Sequence, residues 1–419
     1  MVPPVSDPVR SDFSVKRQLT VERLSGTEAL GSIAGEWEQL ARDTAPRTPF
    51  TSPAYLTLWW THFSRRQWHF RDEFYGHIVR SDDGRLFAVA PLMRTAAPGL
   101  GPRVLRMVQF FGADPALTEV RGVICRPQDH ILAIEALIEH FLARPGEWDV
   151  FRWSGLHHTA DAYNVPERSS ALMARGELPD YIIELSGSWE DLRKRVSSNM
   201  RKNLRKAYEL LERDGVEFAL RVTERAEDVA AAAARFLALH AARADAADMI
   251  YHRNRFTEPH ARAFIVNYLR EVAQGGELRI LELETRGDVV ASRLGFLLGS
   301  DLYLYFAGYD PAWRAYSVMT VLMAETIKWA FAHGIKRINL STGHDQSKLR
   351  WKPREVIFHD AVQVSPTPRA RAAFAAFKTY EALSRARFTA ELRGLLPRAK
   401  AAAYPVSNPL GYAQGHDGL

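Results

Sequence analysis

The alternation of apolar and polar residues is clearest in the second half of the chain. Apolar residues recur at helical spacing through 189–213, at Val196, Met200, Leu204, Tyr208 and Leu211. Similar periodicity predicts helices over 226–243, 258–273 and 317–332. Runs of apolar and β-branched residues between these helices predict strands. The predicted strands are 216–222, 278–284, 289–298, 302–309, 337–340 and 356–364.

The first half has a similar but weaker pattern. Helices are predicted over 29–41, 52–63 and 131–143, and strands over 75–79, 86–93 and 149–153. The second of these helices has Ser52 as its N-cap and Pro53 at its first position. Each half also contains a helix, then a strand, then a glycine, at Gly155 and Gly343. This repetition suggests a duplicated unit.

The order of elements predicts an α/β fold with two domains. Three strands joined by short turns form an antiparallel meander, and the helix after them must cross over to a parallel strand. A chain of 419 residues is also too long for one ordinary domain. We expect a disordered tail over 1–20, a first domain over 21–185, a second over 186–365, and a helical and disordered tail over 366–419.

Composition excludes several classes of protein. The single cysteine, Cys125, rules out a disulfide framework and a thiolate metal cluster. No apolar stretch approaches the ~20 residues of a transmembrane helix, and the N-terminal residues lack the apolar segment of a secretory signal. We therefore expect a cytoplasmic protein without a membrane span or a metal. The formal charge of +6 is compatible with an anionic ligand.

Four segments carry a resemblance to a known family. They are 198–206 (SNMRKNLRK), 236–243 with His240 and Arg243, 303–310 (YLYFAGYD), and 343–351 with Asp345, Lys348 and Trp351. In order and spacing they resemble the CelD-like branch of the GNAT acyltransferases, which is related to the Fem-type aminoacyl transferases. The resemblance implies two tandem GNAT-like domains, each a mixed, mostly antiparallel sheet flanked by helices. It also implies acyl transfer to an amine.

The resemblance places the acyl donor where strand 302–309 meets the helix that begins near Ser317. The residues implied in donor binding are Arg314, Tyr316, Ser317, Val318, Met319 and Thr320. A helix start offers unpaired N–H groups and the positive end of the helix dipole to phosphates, and Ser317 can cap the helix. The family normally has a glycine around Met319, which this chain lacks. The donor is therefore either acyl-CoA held by fewer amides or a different donor.

The densest polar cluster after a predicted strand is 343–351. Asp345 and Lys348 are three residues apart, so they share one face of a short helix. As a catalytic pair, Lys348 would stabilise the tetrahedral oxyanion or a donor phosphate, and Asp345 would orient the amine or accept its proton. The alternative is an exposed salt bridge worth under ~1 kcal/mol.

Acyl transfer to an amine requires a group that takes a proton from it. The candidates are Asp345, His240, His344 and Glu325. The related family has a polar side chain facing the acceptor at the position of His240. A histidine on the helix face of Phe236 and Leu239 also suits packing, so the pattern leaves the base open.

Further candidates for substrate binding are Arg243, Arg293, Tyr305, Tyr309 and Trp351. Arg293 lies in a predicted central strand, where a charge needs an acceptor carboxylate or phosphate, or an internal ion pair. Tyr305 and Tyr309 share a strand face by their even spacing, and they either flank an acyl channel or pack. Arg243 and Trp351 are implied by the family match.

Three functions remain open. The leading hypothesis is an acyl-CoA-dependent N-acyltransferase that acts by direct attack on an amine of a small molecule, amino sugar or polysaccharide precursor. The second takes aminoacyl-tRNA as donor and is favoured by seven basic and no acidic residues from Arg193 to Lys206. The third is a non-catalytic binding protein that keeps the GNAT fold. The sequence contains no Walker-type loop, Rossmann fingerprint or nucleophile elbow.

Overall fold

The computed structural model describes residues 18–66, 71–96, 105–114, 117–157, 171–246, 252–376 and 378–379. Most of the predicted N-terminal tail, and the predicted tail beyond residue 379, lie outside the described residues. A strand already begins at Leu19, inside the range predicted as a tail. A helix begins at residue 368. Among the described helices, none is both long and apolar enough to cross a membrane.

Strands rich in apolar and β-branched residues supply the framework. They are β1 (Leu19–Arg23), β2 (Arg71–Phe74), β3 (His77–Ser81), β4 (Leu86–Ala90), β5 (Leu92–Ala96), β6 (Arg106–Phe110), β7 (Ile124–Cys125), β8 (Val150–His157), β9 (Met173–Glu184), β10 (Ala219–Thr223), β11 (Leu278–Thr285), β12 (Asp288–Leu298), β13 (Asp301–Tyr309), β14 (Arg337–Thr342) and β15 (Arg354–Val364). The predicted meander is confirmed as β11, β12 and β13. The predicted strand 86–93 is wrong as a single unit, because Pro91 separates β4 from β5 and the two join different sheets.

The helices pack on both sides of this framework. They are α1 (Glu28–Ser32), α2 (Ala34–Asp43), α3 (Pro53–Phe63), α4 (His130–Leu142), α5 (Trp189–Arg195), α6 (Ser198–Arg213), α7 (Val229–Asp245), α8 (Pro259–Gln274), α9 (Val318–Ala332) and α10 (Gln346–Leu349). The predicted cap at Ser52 is confirmed, because its hydroxyl accepts the Tyr55 N–H at 3.1 Å. The single predicted helix 189–213 is wrong. Val196 is extended, and Ser197 starts α6 by accepting the Met200 N–H.

The strands form one large and one small sheet. The large sheet has 11 strands in the order β10-β11-β12-β13-β14-β9-β15-β8-β6-β5-β2, and the small one has four in the order β1-β3-β4-β7. Most neighbours are antiparallel, whereas β13 pairs with β14, and β6 with β8, in parallel. The α9 crossover between β13 and β14 is the one predicted from the sequence, and the mixed α/β fold class is confirmed.

The two halves of the chain share the large sheet. Strand β9 lies between β14 and β15 and is antiparallel to both, while β15 also pairs with β8. A strand from the first half thus completes the sheet of the second, and the last strand returns to the first. Sequence analysis missed β9, because its first part (Met-Ala-Arg-Gly-Glu-Leu-Pro-Asp) lacks the apolar pattern of a strand.

Two apolar layers cover the second-half part of this sheet. One layer contains α7 and α8 and continues into the first half, where the Tyr55 ring of α3 contacts Phe264 and Tyr268 at centroid distances of 5.2 Å and 4.9 Å. The other layer contains α6 and α9. The strands β13 and β14 are therefore held between helices on both faces.

Candidate active site

Strands β13 and β14 separate part of the way along their length. Their parallel pairing joins Asp301 to Arg337, Leu302 to Ile338, and Tyr303 to Asn339, and then it stops. Strand β13 nevertheless continues to Tyr309 and β14 to Thr342. Their facing backbone groups beyond this point do not bond to each other, which leaves a wedge-shaped gap in the middle of the sheet. We call this gap the wedge.

A β-bulge reorients β13 beside the wedge. The pairing of β12 with β13 runs from Arg293 opposite Ala307 to Gly295 opposite Leu304, so β13 has one extra residue there. Tyr305 consequently packs in the layer of α7 and α8, whereas Tyr309 packs in the layer of α6 and α9. The prediction that these two tyrosines share a face is therefore wrong. The Tyr305 hydroxyl donates to the Leu117 carbonyl of the first half.

The end of β14 has an unusual backbone. Ser341 is buried and has a φ of +71°, in the left-handed region that side chains other than glycine rarely adopt. The pairing with β9 is irregular between Asn339 and Thr342. The Asn339 side-chain oxygen accepts the Ser341 N–H at 2.7 Å and holds this conformation. The turn exposes several carbonyl groups on one side.

Those carbonyl groups bind Lys348. Its ammonium group donates to the carbonyl oxygens of Thr342 at 2.6 Å, Ser341 at 3.1 Å and Gly343 at 3.2 Å. Burial lowers the pKa of Lys348, and the negative charge of Glu119 opposes that shift. The ammonium group is therefore directed at the end of β14, beside the wedge.

Asp345 does not form the predicted salt bridge with Lys348. Its carboxylate is exposed and accepts the Ser347 N–H at 2.7 Å, as the N-cap of α10. No described salt bridge joins Asp345 to any basic residue. The alternative interpretation of an exposed Asp345–Lys348 pair is wrong, and the pairing of the two in catalysis stays a prediction.

Glu119, from the first half of the chain, faces the wedge from the other side. Its carboxylate accepts a hydrogen bond from the Tyr303 hydroxyl and one from the Ser341 hydroxyl at 3.0 Å. Burial raises the pKa of Glu119, and the nearby charge of Lys348 opposes the shift. A segment of the first half thus contributes a carboxyl group to a site otherwise built by the second.

Asp180 on β9 lies next to this group. One carboxyl oxygen accepts from the Asn339 amide at 2.6 Å, while the other is buried and has no partner among the described residues. Burial, and secondarily the charge of Glu119, raises the pKa of Asp180 to about 7. Glu119 and Asp180 therefore form a buried carboxyl pair near Lys348.

Sequence analysis missed both carboxyl groups. Asp180 stands directly before the apolar run Tyr181-Ile182-Ile183, where aspartate is disfavoured in a strand. That mismatch is a signal that could have identified it. Glu119 lies in a loop between apolar residues, and nothing near it in the sequence indicates its distant partners.

His240 has no free ring nitrogen. Its Nδ1 bonds the Ala307 carbonyl at 3.0 Å, and its Nε2 accepts the Arg255 N–H at 3.3 Å. Burial lowers its pKa to about 4, so the ring is neutral. This geometry attaches α7 to β13 and favours the packing interpretation over the predicted catalytic role. Glu325 is also occupied, because it accepts from the Tyr208 hydroxyl at 2.6 Å and from Lys328 at 2.7 Å.

Arg243 and Arg293 lie at the end of β13. The Arg243 guanidinium is 5.7 Å from the centroid of the Tyr309 ring. Arg293 reaches the Met323 sulfur of α9 at 3.8 Å, and its buried Nε has no hydrogen-bond partner among the described residues. Burial lowers the pKa of Arg293 to about 10. The predicted alternative of an internal ion pair for Arg293 is not found among the described residues.

The predicted donor end lies at the start of α9. Ser317 precedes the helix with a φ of +51°, and its side chain makes no capping hydrogen bond, so the predicted cap is wrong. Its carbonyl accepts the N–H groups of Thr320 and Val321. The N–H groups of Val318 and Met319 are therefore the donors at the helix start that have no acceptor within the helix. Arg314 is exposed. The Tyr316 hydroxyl donates to Asp214 at 3.0 Å and so faces α6.

The predicted site residues therefore divide into three groups. Lys348, Asp345, Arg243, Arg293 and Tyr309 gather around the wedge and the end of β13. The donor residues stand at the start of α9, which follows β13 in the chain. Trp351, Tyr305 and His240 are buried in the core.

Comparison with known proteins identifies a GNAT domain in the second half of the chain. Residues 198–352 match the family model described as an acetyltransferase (GNAT) domain. No curated protein matches the sequence. A solved structure described as FemX has 10% identity and a TM-score of 0.54, and the similarity covers 78% of this chain and 95% of FemX. That similarity shows a shared fold.

Two further solved structures are more distant. One is the C-terminal DUF2156 domain of a putative lysylphosphatidylglycerol synthetase from Agrobacterium fabrum, with 12% identity, a TM-score of 0.46, and coverage of 84% of this chain and 96% of that domain. The other is a tandem GNAT protein from the clavulanic acid biosynthesis pathway, with 10% identity, a TM-score of 0.42, and coverage of 84% and 99%.

The matched segment contains β13, α9, β14 and Lys348, so the wedge lies inside the region that the family model covers. The chain is a GNAT-type transferase, and residues 198–352 form its GNAT acetyltransferase domain.

Proposed function

We propose that this protein transfers an acyl group from acyl-CoA to the amine of a small molecule, amino sugar or polysaccharide precursor. The observation that carries the proposal is the wedge between β13 and β14, with Lys348 and a buried carboxyl pair at its edge. An extended thioester arm fits such a gap, because unpaired strand edges offer N–H and C=O groups to its amides.

The chemistry requires one proton acceptor and one positive charge. The amine nitrogen attacks the thioester carbonyl carbon, the C–N bond forms, and the C–S bond breaks to release a thiolate. The proton that the amine loses finally neutralises this thiolate. We assign the proton lost by the amine to the Glu119–Asp180 pair, because a carboxyl group with a pKa near 7 is suited to accept it. The Lys348 charge stabilises the oxyanion of the tetrahedral intermediate.

The start of α9 would hold the donor's pyrophosphate. Ser317 adopts the left-handed conformation that glycine usually occupies, and the helix begins directly after it, although the glycine expected around Met319 is absent. The amides of Val318 and Met319 then face outward at the positive end of the helix.

Titration calorimetry with acetyl-CoA and longer acyl-CoAs tests the donor. Ser317→Asp should weaken binding by about tenfold or more, because its charge repels phosphate, although aspartate tolerates the left-handed turn and favours a helix start. The matched control is Ser317→Asn, which has the same shape without the charge and should bind like wild type. Absence of heat with every thioester, or equal binding by both variants, overturns the donor assignment.

Thiol release from acyl-CoA, measured with a panel of primary amines, tests the transfer. Lys348→Met should lower kcat by about tenfold or more while acyl-CoA still binds. Lys336→Met removes an exposed lysine and is the control. If Lys348→Met loses thermal stability but keeps kcat, Lys348 only braces the turn.

Aminoacyl-tRNA is a second candidate donor, favoured by one observation. All seven basic residues from Arg193 to Lys206 are exposed on α5 and α6. Helix α6 runs antiparallel to α9, since Asp214 contacts Tyr316 while Tyr208 contacts Glu325, so these residues lie toward the far end of α9. Activity that is lost on ribonuclease treatment, and weakened by salt, would favour tRNA over CoA.

A further inference from the structure

Arg243 and Arg293 approach the same end of β13 from different elements. Arg293 on β12 stands opposite Ala307 in the ladder, and Ala291 stands opposite Tyr309. The His240 bond to the Ala307 carbonyl fixes α7 at this point, and Arg243, almost one turn later, lies over the Tyr309 ring. Both arginines thus lie along the last part of β13, beyond Tyr303, where β13 no longer pairs with β14.

Neither arginine has an acidic partner. Among the described residues, no carboxylate oxygen lies within salt-bridge distance of either guanidinium. Arg243 has the Tyr309 ring as its neighbour, and Arg293 has the Met323 sulfur, with its Nε buried and unbonded. Several other partly buried arginines of the described chain do have such partners. Arg235, on the same helix as Arg243, forms a two-point ion pair with Glu282 at 2.9 Å and 2.7 Å.

The surroundings do not neutralise this pair of charges. The positive charge of Arg243 adds to burial in lowering the pKa of Arg293. The nearest acidic group that acts on both is Asp345, which is exposed and already caps α10. His252 has a buried Nε2 without a partner among the described residues, and burial lowers its pKa to about 3, so it is neutral. Two partly buried, unpaired like charges are costly unless an anion completes the site.

We propose that Arg243 and Arg293 form a recognition site for an anionic group, a carboxylate or a phosphate, carried by the amine acceptor. The acceptor class is then an amino acid, an amino-sugar phosphate or a similar amine that bears a negative charge near its nucleophile. Guanidinium groups match the planar oxygen pairs of carboxylate and phosphate. The inference rests on the proposed acyl transfer, since it names the acceptor of that reaction.

The first experiment adds inorganic phosphate and measures the Tm by thermal unfolding. Sodium chloride at equal ionic strength is the control. Phosphate should raise the Tm of wild type. Arg293→Met should have a higher Tm than wild type without phosphate, because it removes an unpaired buried charge, and should lose the phosphate response. Arg235→Met, the control, should lower the Tm because it removes the two-point partner of the buried Glu282, which then keeps only Arg221 at 3.8 Å. This variant should keep the phosphate response.

Two variants distinguish an acceptor anion from a donor phosphate. If the arginines bind the acceptor, Arg293→Met keeps the acetyl-CoA affinity of wild type, and Ser317→Asp keeps the phosphate response. If Arg293→Met loses acetyl-CoA binding instead, the anion belongs to the donor and the inference is overturned. A lowered Tm in Arg293→Met, or an unchanged phosphate response, also overturns it by indicating a structural arginine.

Matched acceptor pairs then test the reaction: glycine against glycinamide, and glucosamine 6-phosphate against glucosamine. Wild type should prefer the anionic member of at least one pair by about tenfold or more in kcat/KM. Arg293→Met should remove that preference through KM, with little change for the neutral member. If amines are acylated without a preference for the anionic member, only this inference is overturned. If phosphate binds but no amine is acylated, the proposed acyl transfer is overturned and the anion site remains.

Discussion

At the scale of single residues, burial decides what each carboxyl group of the site does. Asp345 is exposed and caps a short helix, which is the ordinary role of an aspartate at a helix start. Asp180 is fully buried, and one of its oxygens has no partner in the described part of the chain. The same side chain is thus a structural cap in one place and, in the proposed reaction, part of the proton acceptor in the other. The difference lies in the desolvation, which favours the neutral form of a buried acid.

Asp180→Asn should change how stability depends on pH. Because the pKa of Asp180 in the folded protein, about 7, lies above that of an unfolded aspartate, the folded protein keeps a proton that the unfolded chain releases between about pH 4 and pH 7. This group's contribution is complete below pH 4 and is lost as the pH rises through 7. Urea unfolding from pH 5 to 7 should therefore show wild type losing about 1.4 kcal/mol per pH unit relative to the variant.

The control for this measurement is Asp288→Asn, which changes an exposed carboxylate at the start of β12. Its free energy of unfolding should run parallel to that of wild type across the same range. Parallel curves for wild type and Asp180→Asn would mean that Asp180 is ionised in the folded protein, and the carboxyl pair would lose its assigned role.

The sequence identified some of these residues and not others for a physical reason. Lys348 was recognised because it lies in a dense polar cluster after a strand, in a segment that resembles the family. Arg293 was recognised because a charge inside a strand conflicts with the local pattern. Glu119 conflicts with nothing nearby, since its partner Ser341 is 222 residues away and the contact exists only after the halves pack. Contacts of that separation depend on tertiary structure alone.

At the scale of elements, three irregularities shape the site. The bulge in β13 sends Tyr305 and Tyr309 to different faces, which no argument from even spacing could anticipate. Ser317, directly before α9, and Ser341, near the end of β14, both adopt the left-handed conformation that glycine usually occupies. Regular periodicity predicted the helices and strands well, whereas these departures from it determine where the side chains point.

Gly308→Ala should separate α7 from β13. A Cβ at Gly308 would lie 2.3 Å from the His240 backbone nitrogen and 2.5 Å from the Leu239 carbonyl carbon, and backbone atoms cannot yield cheaply. We expect a loss of about 1–3 kcal/mol in the free energy of unfolding. The His240 bond to Ala307 should break as well, and the pKa of His240 should rise from about 4 toward its ordinary value, which NMR titration can measure.

Gly35→Ala is the matched control for that change. Gly35 lies inside α2, where an added Cβ meets no atom within 4 Å. Alanine should stabilise the helix there by about 0.5–1 kcal/mol. If both substitutions changed the free energy of unfolding by the same amount, the close approach of α7 to β13 would be contradicted.

At the scale of the whole molecule, the shared sheet couples the two halves. Strand β9 supplies the centre of the sheet in the second half, and β15 extends it into the first. The position of Glu119 depends on the same coupling, because Glu119 reaches the wedge only when the two halves pack together. Length and repetition predicted two domains. They could not predict one continuous sheet, because the exchange of β9 and β15 between the halves does not change the local periodicity of the sequence.

Cooperative unfolding of both halves follows from this coupling. Tyr55→Ala, in the first half, removes a ring that packs on Phe264 and Tyr268, and should cost about 3–5 kcal/mol. Hydrogen exchange should show this loss equally in β4 and in β12, although β12 does not touch the substituted residue, because amides of one cooperative unit share its opening free energy. Leu132→Ala changes an exposed side chain on α4 and should alter the protection of neither strand.

Loss of protection in β4 with full protection in β12 would mean that the halves unfold separately. Glu119 could then leave the wedge while the second half stays folded, so the same measurement decides whether the site exists only in the intact molecule.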